Sequence, residues 1–363
     1  MSVISYLFAI FALLGALDRI FGNKFGLGKE FDRGILTVGP LALAMVGMIS
    51  LSPVLAQVLL PLLTPVAEFL HFDPSVLIAC VFANDMGGAP LAQEFAKTPF
   101  WGQYNGLVVA SMLGVTVSFT IPAALKTIAP TYHKEVLLGI LCGISTIPLG
   151  CLAAGLLLGV SVLSLLQNLA PVLVLSLLIC FGLVKFPVFC VRAFTWIGHL
   201  ILALVTAGLG IGIFQHITGR TILPGMAPIS GGFQTVCEIA ILLAGVFPLL
   251  FVLSKVLRSV LKHVGRWLQI NDTAVMGFLS SLANSIATFE MMDKMDRKGR
   301  VMNMAFAVSA AFVFGDHLAF TMAFDRTILP AMILGKLVAG FSALVVAHFI
   351  FRFTGKALTE EKK

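Results

Sequence analysis

Long apolar runs alternate along this chain with short polar connections. A helix that crosses a bilayer needs roughly 17–25 predominantly apolar residues. Runs of about that length fall at 2–17, 35–56, 105–125, 136–160, 165–184, 193–214, 236–253, 301–320 and 328–351. Two further apolar runs, 75–92 and 273–292, are shorter and more polar. The stretch 59–69 is apolar too, but Pro53, Pro61 and Pro65 are expected to break its helical pattern. The pattern predicts an all-α polytopic membrane protein with about 9–11 transmembrane helices. A single transmembrane unit, 1–355, would be followed by a polar tail, 356–363.

Composition says what the solvent is. Hydrophobic residues make up 59% of the chain and charged residues only 11%, with a mean hydropathy of +1.02. A soluble protein carries about a quarter charged residues, so most of this surface must face lipid. The net charge of +7 would suggest nucleic acid in a soluble protein. Here the basic residues lie in loops between apolar runs, where they set orientation, and no nucleic-acid partner is implied. The six cysteines form no C-x-x-C pair and lie in or beside apolar stretches, which predicts reduced, buried thiols. The N-terminus is apolar from Val3, without a basic leader or cleavage site, and reads as a first span.

Of the 24 Lys and Arg, 20 cluster at 19–33, 126–134, 185–192, 255–266, 294–300 and 352–363. If every run crossed, the basic groups flanking 273–292 would fall on opposite sides. If 75–92 and 273–292 are instead re-entrant or broken helices, all 20 face one side. The N-terminus is then external or periplasmic and the C-terminus cytoplasmic. The two hairpins enter from opposite faces, as in inverted-repeat transporters, with pseudo-repeats at about 1–184 and 193–355. Gly139 and Gly143, Gly155 and Gly159, and Gly208 and Gly212 are each four apart, a spacing that lets helices approach closely in lipid. Small interface residues permit a homo-oligomer without requiring one. The basic stretch 255–267 has the spacing of an interfacial amphipathic helix.

Ionisable groups inside apolar segments are costly and mark candidate sites. Three places qualify. Asn84 and Asp85 precede Gly87 and Gly88, a pair that would unwind a helix, with Glu94 following. Asn284 and Ser285 end a serine-rich run, with Phe289 and Glu290 beyond. Asp316 and His317 sit deep in an otherwise apolar span, with Phe314 before them. Lys336, about two turns into the last span, could pair with a carboxylate such as Asp316. Blander readings exist for each: a surface turn, small-residue packing, a structural histidine. Carboxylates with amide and hydroxyl neighbours suit a small cation that also forms hydrogen bonds, or a coupling proton or Na⁺. No P-loop, dinucleotide fingerprint, nucleophile–base pair or metal-ligand spacing stands out, so neither an enzyme nor a cofactor or metal is expected. The sequence shows no soluble output domain of a sensor.

These residues carry a family resemblance. The segment 282–303, LANSIATFEMMDKMDRKGRVMN, and the segment 305–319, AFAVSAAFVFGDHLA, closely resemble the ethanolamine permease family (EutH). DMGG at 85–88, LAMV at 43–46 and TIPLGC at 146–151 fit as well, so the likeness spans nearly the whole chain. One departure is Glu290, which stands where the family is apolar and small, so it weighs less as a shared ligand. The resemblance implies a bacterial inner-membrane protein that imports ethanolamine, a small-molecule partner, for its utilisation in the cytoplasm. Other readings are a transporter of another small amine or nucleoside-like solute coupled to H⁺ or Na⁺ and, further off, an intramembrane enzyme or sensor.

Overall fold

The computed structural model describes residues 3–360, and among them every regular element is helical. Among the described residues, seven helices are long and apolar enough to cross a membrane: Leu27–Phe69, Pro99–Thr127, Pro130–Leu157, Val162–Lys185, Pro187–Thr218, Ile229–Val256 and Leu329–Phe351. Two expected spans are not among these. The first forms Val3–Ile20, 18 residues long and near the minimum for crossing. The other, 301–320, is interrupted between Arg297–Ala310 and Asp316–Phe324.

Some expectations on local structure need correction. Pro53, Pro61 and Pro65 do not break the helix, because Val38–Phe69 runs through all three. Prolines are tolerated in membrane helices where local turns and neighbouring groups re-satisfy the freed carbonyls. The basic stretch 255–267 is no separate interfacial helix, since Ile229–Leu268 continues through it. Cys237 is exposed rather than buried, whereas Cys80, Cys142 and Cys151 are buried. The side chains of the tail expected at 356–363 lie outside the described residues.

The two short runs fold back on themselves. In the first, Ser75–Ala79 leads through a turn at Asn84–Met86 into Gly88–Phe95. Neither helix is long enough to cross. One carboxylate closes the base: Asp73 accepts from the backbone N–H of Ser75 at 3.0 Å and of Lys97 at 2.9 Å. In the second, Asp272–Ala283 breaks at Asn284 and returns as Ser285–Glu290. Its base closes in the same way. The N–H of Asn271 donates to Asp296 at 2.8 Å, and the Asn271 amide donates to the Lys294 carbonyl at 2.8 Å. Halfway along, Thr288 donates to the Gly277 carbonyl and accepts from Ser281, each at 2.9 Å. Residues 11 apart in sequence thus touch, which a straight helix forbids.

Small residues set the helix spacing. A Cβ on Gly47 would stand 1.8 Å from the Val205 carbonyl, and one on Gly208 would stand 2.4 Å from the Gly47 carbonyl. Gly139 and Gly143 seat Met304 and Val308 of the interrupted span. Two of the three spaced glycine pairs therefore lie at helix contacts as the spacing implied. Gly159 instead takes a φ of +77° where its helix has ended.

The base closures predict a stability effect. Asp73→Ala removes buried and partly buried bonds, and Asn271→Ala removes an exposed bond to Lys294 and a partly buried one from Ala274, each loss worth about 1–3 kcal/mol. Each variant should lower the melting temperature in detergent by roughly 2–10 °C. Unchanged melting in both would show that the hairpin bases do not hold the fold.

Candidate functional site

The site forms where the two hairpin tips meet the gap in the interrupted span. The 311–315 segment does not continue either helix, and Phe312 has a φ of +61°. Its backbone pairs instead with the second hairpin: Phe312 N–H donates to the Ser281 carbonyl and Phe314 N–H to the Leu282 carbonyl, both at 2.9 Å. Gly315 lies so close to that tip that a Cβ would stand 2.1 Å from the Ala283 carbonyl. Asp316 begins the next helix one residue beyond this contact.

The first hairpin reaches the same helix from the other side. Its tip turns at Gly87, where φ is +94° and a Cβ would stand 1.9 Å from Met48. Both conditions require glycine. The neighbouring Gly88 N–H closes the turn on the Ala83 carbonyl at 2.8 Å. The Ala83 N–H is taken by the Ser118 hydroxyl at 3.2 Å. The Asn84–Met86 turn packs on the helix that begins at Asp316, which brings Asp85 Oδ1 to 3.9 Å from His317 Nε2. That separation is too long for a hydrogen bond. On the far side of the ring, Lys336 Nζ lies 3.1 Å from His317 Nδ1 and donates to the Ser111 carbonyl. His317 and Lys336 are buried, at 1% and 0% exposure, whereas the Asp85 side chain keeps 21%.

Polar atoms without partners collect here. The Asn84 amide is fully buried, yet neither its oxygen nor its nitrogen is hydrogen-bonded. Ser285 Oγ, Ser309 Oγ, His317 Nε2 and Thr321 Oγ1 are buried and unpartnered as well. These residues belong to the two tips and the interrupted span. Buried polar groups are almost always satisfied, so such a set calls for water or a ligand.

A cavity of about 320 Å³ opens beside the second tip. Asn284, Ser280, Phe314, Glu30, Arg33 and Phe251 are among its lining residues. At its wall Arg33 pairs with Glu30 at 3.3 Å and stacks over Phe247 at 4.8 Å. The sequence reading had taken Arg33 only as an orienting charge, and it missed Ser111 altogether. Ser111 contributes a backbone carbonyl, for which sequence holds no signal.

Of the sequence candidates, the structure brings together Asn84, Asp85, Gly87, Gly88, Asn284, Ser285, Asp316, His317, Phe314 and Lys336. Lys336 meets His317 rather than Asp316. Three others stand apart. Glu94 is exposed and lines a groove with Pro53, Gln57 and Pro61. Glu290 is exposed at the end of the second hairpin, and Phe289 is packed in the core at 1% exposure. Among the described residues, no group of three or more His, Cys, Asp or Glu is placed to hold a metal ion.

Comparison with known proteins gives this arrangement a family. A family model described as "Ethanolamine utilisation protein, EutH" matches residues 1–350. The chain is 46% identical over 348 residues to "Probable ethanolamine permease EutH" of Listeria monocytogenes serotype 1/2a (strain 10403S), covering 96% of this chain and 93% of that protein. It is 37% identical over 387 residues to "Probable ethanolamine permease EutH" of Escherichia coli (strain K12), covering 96% and 95%. It is 38% identical over 345 residues to "Uncharacterized protein YxeR" of Bacillus subtilis (strain 168), covering 95% and 93%. No solved structure matches the chain. With the family model matched over 350 residues and relatives aligned along nearly their whole lengths, the chain belongs to the EutH family of ethanolamine utilisation proteins.

Proposed function

We propose that this protein imports ethanolamine across the bacterial inner membrane. One observation carries the reading: the buried, unpartnered Asn84 amide next to the partly exposed Asp85 carboxylate. Ethanolamine is an ammonium at neutral pH with a hydroxyl two carbons away. Its bare passage through hydrocarbon is slow, because a charge and a hydroxyl lose their water. Asp85 and Asp316 receive the ammonium, while Asn84 and Asn284 exchange hydrogen bonds with the hydroxyl. The relatives named as probable ethanolamine permeases support the choice of cargo.

The orientation follows from the charge pattern. With both hairpins folding back, consecutive crossings place the six basic clusters on one side. That side is the cytoplasm by the positive-inside rule, which leaves the N-terminus outside and the C-terminus inside. The two halves, about 1–184 and 193–355, form a pseudo-repeat in opposite orientation. Each contributes one re-entrant hairpin followed by a span, Pro99–Thr127 or the interrupted 297–324. The work done is transport rather than catalysis.

Two measurements test this. Uptake of labelled ethanolamine into cells or proteoliposomes should fall at least about tenfold in Asp85→Asn and in Asp316→Asn, since a hydrogen bond to a charged group contributes about 1.5–3 kcal/mol. Wild-type uptake in both, at equal expression, would sink the assignment. The cavity beside the second tip is tested by thiol labelling in a Cys237→Ala background. Asn284→Cys should react with a water-soluble maleimide at least roughly tenfold faster than the buried Ser285→Cys, because thiol reactivity follows access. Ethanolamine should protect both positions. Equal rates without protection would separate the cavity from the substrate path.

A further inference from the structure

The least expected group at the centre is a lysine. Lys336 is fully buried in the last span, 0% exposed, and its Nζ has two acceptors, the Ser111 carbonyl and His317 Nδ1. Among the described residues, no carboxylate forms an ion pair with it. A buried ammonium without an anion in contact is costly, so this one depends on negative charge placed a little farther off. The carboxylate across the imidazole supplies it. With Lys336 donating to Nδ1, the ring carries its proton on Nε2, which faces Asp85 Oδ1 at 3.9 Å. Asp316, the residue before His317 on the same helix, adds a second carboxylate to this centre. Arg33 and Glu30 at the cavity wall pair with each other and cancel. The centre therefore holds two carboxylates against one fixed ammonium, with a single negative charge left over.

We infer that Lys336 sets the charge class of the substrate: it leaves room for one positive charge beside Asp85 and Asp316, so the site takes monoammonium solutes and rejects diammonium ones of the same size. This rests on the amine-transport reading and extends it from which groups bind to which solutes are refused. Ethanolammonium neutralises the centre. Replacing its hydroxyl by a second ammonium leaves an uncompensated charge in a low-dielectric space, with the Lys336 ammonium behind the imidazole as a further like charge. It also presents a donor-only group to the Asn84 amide, which can use only its oxygen in return. Refusal of dications matters for a carrier in a cell, where short diamines would otherwise compete for the same pair of carboxylates.

The experiment is competition against labelled-ethanolamine uptake, with propylamine and ethylenediamine as competitors of equal heavy-atom count. It is run at mildly acidic pH, where ethylenediamine carries two charges. In the wild type, ethylenediamine should compete at least about 100-fold more weakly than propylamine, the scale of one unscreened like-charge contact near a protein interior. Lys336→Met should bring the two competitors to parity, and Lys336→Arg should keep the refusal. The double variant Asp316→Asn with Lys336→Met restores the single negative charge and should restore the refusal. A lysine that only holds the helices together would change all competitors alike. Equal competition by both amines in the wild type overturns the inference and needs no variant to fold. A folded Lys336→Met protein that still refuses the diamine overturns it as well. Wild-type protein that takes up no ethanolamine overturns the substrate reading instead. Charge selection is then read separately, from whether propylamine raises the melting temperature of the purified protein while ethylenediamine does not.

Discussion

Hydrocarbon offers no hydrogen bonds, so each backbone N–H and C=O inside a bilayer must be satisfied by protein. This structure interrupts its helices at three points near the centre and meets the constraint by setting the interruptions against one another. The freed N–H groups of Phe312 and Phe314 take the carbonyls of Ser281 and Leu282 at the end of the second hairpin. The N–H of Ala83 takes the Ser118 hydroxyl, and its carbonyl takes Gly88. None of these segments could be stable alone in lipid. The price of interrupting a helix is that another interrupted helix must come to it, and this assembles the polar centre.

Close approach makes those pairings reachable. The span beside the first hairpin presents Gly106 to Ala89 and Gly114 to the Phe82 carbonyl, where a Cβ would stand 2.1 Å away. The same span is wound in part as a π-helix, over Asn105–Gly114 and Thr116–Thr120. Such widened turns recur at functional sites. Here they accompany a second kind of tie: the Thr116 hydroxyl donates at 2.6 Å to Met112 in its own helix and at 3.0 Å to Val308 of the interrupted span. Ser111, in the same widened stretch, offers its carbonyl to Lys336. Packing and chemistry therefore share one helix.

What could be read beforehand follows from what each signal depends on. Span positions and the two fold-back segments were legible because hydropathy and loop charge are properties of composition along the chain. Asn84, Asp85, Asp316 and His317 stood out because a polar side chain in an apolar run is conspicuous by itself. The continuity of Val38–Phe69 through three prolines was not legible, since it depends on how the surrounding structure accommodates each freed carbonyl. Nor was the extension of Ile229–Leu268 through the basic stretch, where helical spacing was read correctly but the joint to the preceding span was not. Glu94 and Glu290 looked like the other candidates in sequence. Only the path of each hairpin puts them on its outer arm, away from the tip. The partner of Lys336 was not legible for a similar reason, because the imidazole lies between the lysine and the Asp85 carboxylate.

The same geometry explains why this centre is poised for a solute rather than sealed. A purely structural polar cluster closes on itself, as the hairpin base does, where Asn105 and Asn168 exchange amide bonds and Ser75 completes the set. That cluster is also buried, and its side-chain bonds are made. At the tips and the interrupted span, in contrast, Asn84, Ser285, Ser309 and Thr321 are equally buried and unbonded, and the Asp85 carboxylate and His317 imidazole are held apart at 3.9 Å. At the hairpin base the chain satisfies its buried amides and hydroxyls. Leaving a second set open, beside two carboxylates and a fixed ammonium, keeps the centre short of both a hydrogen-bond partner and a positive charge. A small ammonium bearing a hydroxyl supplies both at once.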